Sequence, residues 1–317
     1  MIKFNPNFKV YLFAAIFFFG CETEQEKKTY TDTATSGEIN IAADESFSQI
    51  TSTELDTFLS LYKNAKINVS YLPESEAFLS LVNDSVRCII AAREVNENEI
   101  NYFKTRNLIP RITHIATDAI AFIVNQENKD TLFSVEELSK IISGETNTWN
   151  KLGEKKTSEP IQVIFDNQKS STARYLKERF LKDKKFPANC FAVNNNPEVI
   201  KYVKENKNAI GVIGVSWISD GDDPAAKKFL DSIKVVSIIA PEGEPGEGRS
   251  YKPYQANIAQ KFYPFTRKIY VVSREARVGL ATGFAAFVAG DKGQRIILKS
   301  GIMPATQPVR IVGFRNN

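Results

Sequence analysis

The chain is poor in the residues that most enzymes and metalloproteins rely on. Its 317 residues include one histidine, two tryptophans, two methionines and three cysteines. A single histidine, His114, excludes His-rich metal centres and leaves little for a serine–histidine triad. No metal site and no cofactor is expected. No stretch interleaves basic and aromatic residues, and the 41 basic and 37 acidic residues nearly cancel to a formal +4, so nucleic acid is not an expected partner. No internal repeat of solenoid period is present. No apolar run is long enough to span a bilayer. With 43% hydrophobic and 25% charged residues, the chain has the composition of a globular protein large enough for two domains with their own cores.

The longest apolar run, "VYLFAAIFFFG", follows Lys3 and Lys9 and ends immediately before Cys21. That pattern is a secretory signal. The Gly20–Cys21 junction resembles a bacterial lipobox, which implies that residues 1–20 are removed and Cys21 carries lipid; an ordinary signal cleaved elsewhere is the alternative. Removal takes away two basic residues and no acids, leaving +2. Residues 21–36 are polar without apolar periodicity and read as a flexible tether to a membrane. The other two cysteines, Cys88 and Cys190, lie in apolar surroundings in different halves of the chain and are expected as buried free thiols.

From residue 37 onward, strand-like and helix-like runs alternate. "EINIAA", "KINVSYL" and "VRCIIAA" read as strands, and "ELDTFLSLYKN" places Leu55, Phe58, Leu59 and Tyr62 on one helical face. A second group follows: strand "AIAFIVN", helix "SVEELSKIISG" with a capping box from Ser134 to Glu137, strand "IQVIF", and helix "PEVIKYVKEN" with proline in its first turn. Apolar strands "AIGVIGVSW", "IKVVSII" and "KIYVVS" and two terminal helical stretches complete the chain. The fold class is therefore α/β, with mostly parallel sheets covered by helices.

Open parallel sheets bind ligands at the carboxyl ends of their strands. Four loops follow such ends: Asp44, Glu45, Ser46 and Phe47 after the first strand, Ser75 between Glu74 and Glu76 after the second, Arg93 after the third, and Asp166, Asn167, Ser170, Ser171 and Thr172 after "IQVIF". A helix start with spare N–H groups and three small hydroxyls suits a tetrahedral oxyanion. Ser170 acting only as a helix cap is the plainer alternative.

Several motifs together are similar to the substrate-binding proteins of the high-affinity phosphate ABC transporter, and most to a lipoprotein branch of that family. "DAIAFIVNQEN", followed by a helix and Gly144-x-x-x-x-Trp149-Asn150, resembles the opening of the family's second lobe. "VIFDNQKSST" stands in place of its anion loop, and "YPFTRKIYVV" with "FAAFVAGDKGQRIILKSGIMPA" resembles its return to the first lobe. The resemblance runs from about Gly37 to the end. It implies a type II periplasmic-binding-protein fold with two lobes, 37–116 plus 255–317 and 117–254, joined by two crossing strands. It also implies a non-enzymatic monomer that carries phosphate, or a related anion, to an ABC permease of the inner membrane. By position, Ser46, Phe47, Ser75, Ser170, Ser171 and Thr172 would hold the anion. An ungapped count puts Arg87 where the family has an aspartate and Asp166 where it has an arginine, implying that acid and base have exchanged lobes. Arg93 competes with Arg87 as the arginine, and Asp44 or Glu45 with Asp166 as the proton acceptor. Five acids (Asp44, Glu45, Glu74, Glu76 and Asp166) crowd an anion site unless protonated, paired or turned away. A different small ligand or a protein partner in a sensory or surface role stays open beside phosphate, and a hydrolase is a third possibility.

Overall fold

Alternation of short apolar strands with amphipathic helices builds one long curled sheet. The computed structural model describes residues 32–152, 158–182 and 184–309. Cys21, the signal segment and most of the tether lie outside the described residues. The elements run β1 (Gly37–Asp44), α1 (Ser48–Leu61), β2 (Ala65–Leu72), α2 (Glu74–Val82), β3 (Cys88–Ala91), α3 (Glu97–Thr105) and β4 (Arg111–Asn125). Then follow β5 (Leu132–Phe133), α4 (Val135–Ile142), β6 (Gln162–Phe165), α5 (Ser171–Leu176), β7 (Cys190–Ala192), α6 (Asn196–Glu205), β8 (Ala209–Gly214), α7 (Pro224–Leu230) and β9 (Ile233–Val235). Strands β10 (Ser237–Ile239) and β11 (Ser250–Tyr251), helix α8 (Gln255–Ala259), β12 (Thr266–Ser273), α9 (Leu280–Ala289), α10 (Asp291–Lys299) and β13 (Met303–Pro304) complete the chain.

The strand order is β2-β1-β3-β12-β4-β8-β6-β7, with β9 and β13 also paired to β4. Strands β2, β1 and β3 are mutually parallel, as are β7, β6 and β8. Between these parallel groups run two antiparallel strands, β12 and β4. Strand β4 pairs with β12 over Arg111–Ala119 and with β8 over Ile120–Val124, so it belongs to both halves of the sheet. The sequence pattern marks only Ala119–Asn125 as strand. The preceding residues are mostly polar, and Thr113, His114, Thr117 and Asp118 hide the extended segment from an apolar pattern.

Packing agrees with the periodicity. Phe58 is buried on α1 with Leu55, and its ring meets Phe284 at 5.5 Å and Phe287 at 5.4 Å between centroids. Helix α4 carries the expected capping box between Ser134 and Glu137. Cys88 and Cys190 are buried free thiols. One expectation needs correction: residues 32–36 are not tether. The Asp32 carboxylate accepts the N–H of Leu280 (2.9 Å) and pairs with Arg277, so it caps α9. The turn from Thr33 to Ser36 lies so close to α9 that a Cβ on Gly283 would come within 1.8 Å of the Ala34 carbonyl oxygen.

Candidate functional site

The carboxyl ends of β1, β2, β6 and β8 point toward one another across β4 and β12, which brings their following loops together. After β1, Asp44 turns the chain into a short 3₁₀ segment, and its Oδ1 accepts the N–H of Ser46 at 2.9 Å. After β6, Ser170 is the N-cap of α5: its Oγ accepts the N–H of Ala173 at 3.1 Å. The same Oγ lies 2.6 Å from Asp166 Oδ1 and 2.7 Å from the Asn167 carbonyl, either of which can take its proton. Ser170 is therefore both a cap and a site group.

The two loops touch through their side chains. Ser171 N–H donates to Asp44 Oδ2 at 3.1 Å, and Ser46 Oγ donates to Asp166 Oδ2 at 3.2 Å. Asp44, Ser46, Phe47, Asp166, Ser170, Ser171 and Thr172 are all buried, none more than 3% exposed. The Thr172 hydroxyl is among the buried groups with no partner. Ser216, in the loop after β8, donates to the Ser46 carbonyl at 3.0 Å. Buried Asn196 donates through Nδ2 to Glu45 Oε2 at 2.8 Å and reaches Asp166 Oδ2 at 3.4 Å, and at the rim Ser75 donates through both N–H and Oγ to the Lys169 carbonyl (3.1 and 2.9 Å). Ser75 thus ties the loops together from an exposed position rather than facing the buried groups. Asn167 likewise shapes its turn, its Oδ1 accepting the N–H of Lys169.

The arginine of the site is Arg267, which the sequence reading missed. It sits on β12 directly opposite Asp118 on β4. Its Nε and Nη2 donate to Asp118 Oδ2 at 3.0 and 2.9 Å, and its Nη1 reaches Ser171 Oγ at 2.8 Å. Its guanidinium lies 4.8 Å from the centre of the Phe47 ring. Gly214, at the end of β8, leaves room for this pair: a Cβ there would meet Arg267 Nη2 at 2.8 Å. The only trace of the pair in the sequence is an acid, Asp118, just before the apolar run of β4 and two cations, Arg267 and Lys268, just before that of β12, which does not single out Arg267.

Arg87 is the clearest correction. It precedes β3 and so lies at the amino end of that strand, whereas the site lies at the carboxyl ends. There it pairs loosely with Asp84 at 3.6 Å and is partly exposed. The exchange of acid and base between lobes therefore does not occur through Arg87. Arg93 does not face the buried loops either; it forms a two-pronged ion pair with Glu99 (2.7 and 2.8 Å) and stacks on Phe78 at 3.4 Å. Of the acids that crowd these loops, Glu74 is paired: its Oε2 receives Arg174 Nε at 2.6 Å and its Oε1 the Ala92 N–H at 2.9 Å. Glu76 turns outward to Lys169.

Asp44 has no such cation of its own. Burial, reinforced by the negative charge of Glu74, pushes its carboxyl up to about 6, with Arg267 opposing. Burial lifts Glu45 to about 7 and raises Asp166 and Asp118 as well. Chemically, the arrangement offers two backbone N–H groups, three hydroxyls and a guanidinium, with carboxylates able to accept a proton from a bound solute.

A sheet of two parallel groups joined by two crossing strands, with a buried donor set where the strand ends meet, defines a type II periplasmic-binding-protein fold. The chain belongs to the PBP superfamily: the profile of that superfamily domain matches residues 28–292. Its family is one of solute-binding proteins rather than enzymes. It is 21% identical over 304 residues to the phosphate-binding protein PstS of Borreliella burgdorferi, covering 93% of this chain and 96% of that protein. The structure of a Clostridium perfringens protein with bound phosphate superposes with a TM-score of 0.71 at 20% identity, over 85% of this chain and 100% of the other. An ABC-type phosphate transport receptor from Vibrio cholerae gives a TM-score of 0.64 at 20% identity, over 84% and 100%.

Proposed function

We propose that the chain is a solute-binding lipoprotein of the cell envelope that captures inorganic phosphate, or a closely related tetrahedral oxyanion, and delivers it to an ABC permease. In this reading the lobes are residues 37–116 with 255–317 and residues 117–254, the crossing strands β4 and β12 are the hinge, Cys21 carries the lipid, and the protein works as a monomer. One observation carries the reading: the N–H and hydroxyl of Ser46, the hydroxyl of Ser170 and the N–H of Ser171 meet from opposite halves around the buried carboxylates of Asp44 and Asp166, next to Arg267, and the adjacent Thr172 hydroxyl is buried without a partner. Preorganised neutral donors plus one guanidinium suit an anion that must be bound and then released. The phosphate-binding relatives support it. Closing the lobes over the ion would create the surface that a permease reads.

Calorimetry on the mature protein, freed of carried-over anion, tests this. Phosphate is expected to bind at least about a hundredfold more tightly than sulfate, a difference of about 2.7 kcal/mol, because fully ionised sulfate brings no proton to the buried carboxylates. Thr172→Val should weaken phosphate binding about tenfold while leaving the unfolding midpoint unchanged, since its hydroxyl has no partner to lose. No heat from phosphate at micromolar protein would remove the reading. The acids favour a ligand of other chemistry as the second reading, and heat from a cationic metabolite or an organophosphate in the same titration would establish it.

A further inference from the structure

Beside the buried donors, a separate set of contacts joins the two parallel groups of strands. Glu74 opens α2, after β2, and is only 2% exposed. Its Oε1 accepts the N–H of Ala92, which follows β3, so the carboxylate is held in place from within the first group. Arg174 reaches it from α5 in the second group. Its Nε donates to Glu74 Oε2 at 2.6 Å, and its Nη2 to Glu74 Oε1 at 3.3 Å and the Ala92 carbonyl at 3.1 Å. The N–H of Arg174 donates to the Ser170 carbonyl at 3.1 Å, which fixes this arginine to the turn that carries Ser170, Ser171 and Thr172. A second, outer contact runs alongside. Lys169, just before Ser170, pairs with Glu76 at 3.0 Å, but there the side chains are 64% and 42% exposed.

We propose that Arg174 and Glu74 are positioning residues for the bound anion: their pairing completes the closure of the lobes and sets how long the anion is held. The proposal rests on the oxyanion reading above and on its closing lobes. The two residues act through the α5 turn rather than on the anion itself. With the lobes together, Glu74 without Arg174 would be a buried charge lacking compensation, and its negative charge bears on Asp44 beside the donors. Arg174 removes that cost only where the two groups of strands meet. A contact made in one of two arrangements shifts the balance toward that arrangement. Arg93 does not replace it, since its Nε lies 4.0 Å from Glu74 Oε2 and its fork is committed to Glu99. Truncating one partner of a buried, hydrogen-bonded charge pair acts on release, whereas an exposed rim charge contributes little and acts mainly on approach. The inner pair and the outer pair should therefore differ in kind.

The experiment follows release of radiolabelled inorganic phosphate from the mature protein after a chase with unlabelled phosphate. Calorimetry supplies Kd, so the association rate follows from the ratio. Arg174→Met should speed release at least about tenfold and change the association rate by less than about threefold. Lys169→Met, which removes only the exposed pair, should leave release within about twofold of wild type. Arg174→Lys keeps the charge without the fork and should fall between; it makes the same comparison where the methionine variant does not fold. In a Glu74→Gln background, Arg174→Met should speed release by about threefold at most, because the partner charge is already gone. Unchanged release from the Arg174 variants would overturn the proposal. So would the same acceleration with and without Glu74, which would place the arginine on the anion rather than on the acid. Absence of phosphate binding by the wild type would instead remove the oxyanion reading, and the proposal with it.

Discussion

At the scale of single residues, the pair that organises the site is Arg267 with Asp118. Both are buried, and each sits at the start of the apolar run of its strand. Removing one partner of such a pair leaves a buried charge without compensation, so Arg267→Ala should lower unfolding free energy by about 3–5 kcal/mol in urea denaturation. Replacing both, Arg267→Met with Asp118→Leu, should recover most of that stability, since an apolar pair of similar volume needs no compensation. Recovery without phosphate binding would separate the guanidinium's role as anion partner from its role as a brace. The hydroxyl and acid residues of the loops after β1 and β6 were legible in the sequence because each follows a recognisable strand. Arg267 was not, because its relevance comes from antiparallel pairing with a residue 149 positions away. The misplacement of Arg87 has a similar origin: a count along the chain cannot tell which end of a short buried strand a residue occupies.

At the scale of elements, the strand–helix alternation and the caps could be read from pattern, and they did most of the work of positioning the loops. What pattern could not supply was the length of β4, whose polar first part is stabilised by partners on β12 and β13 rather than by apolar alternation. The end of the tether was hidden for a comparable reason. Residues 32–36 have no apolar signal of their own, yet they dock onto α9 through the Asp32 cap and the close approach at Gly283. Glycine within a helix is destabilising by about 1 kcal/mol relative to alanine. Gly283→Ala therefore separates the two effects. A Cβ there collides with the Ala34 backbone, so the variant should release residues 32–36 and make them sensitive to protease, even though alanine favours the helix. Unchanged protection of that segment would show that the docking does not depend on the glycine.

At the scale of the whole molecule, the sequence pointed to two groups of strands but not to their closed arrangement, which rests on contacts such as Ser46 to Asp166, 120 residues apart. The gathering of acids at this junction has a consequence for stability. Asp44 is held near 6 and Glu45 near 7 by burial, both above their ordinary values. A group whose pKa is raised in the folded state binds more protons there than in the unfolded chain. Its contribution is fully present below about pH 4 and is lost as pH rises through the folded value. For Asp44 that loss is on the order of 2–3 kcal/mol between about pH 4 and pH 7. Urea unfolding of the phosphate-free protein should accordingly show a midpoint that falls from pH 5 to pH 8. Asp44→Asn carries no titrating group at that position and should flatten the part of the fall that lies below about pH 6. A midpoint that rises over this range would mean that the carboxylates at the junction are stabilised as anions, and that the lobes are held together by charge attraction rather than in spite of charge repulsion.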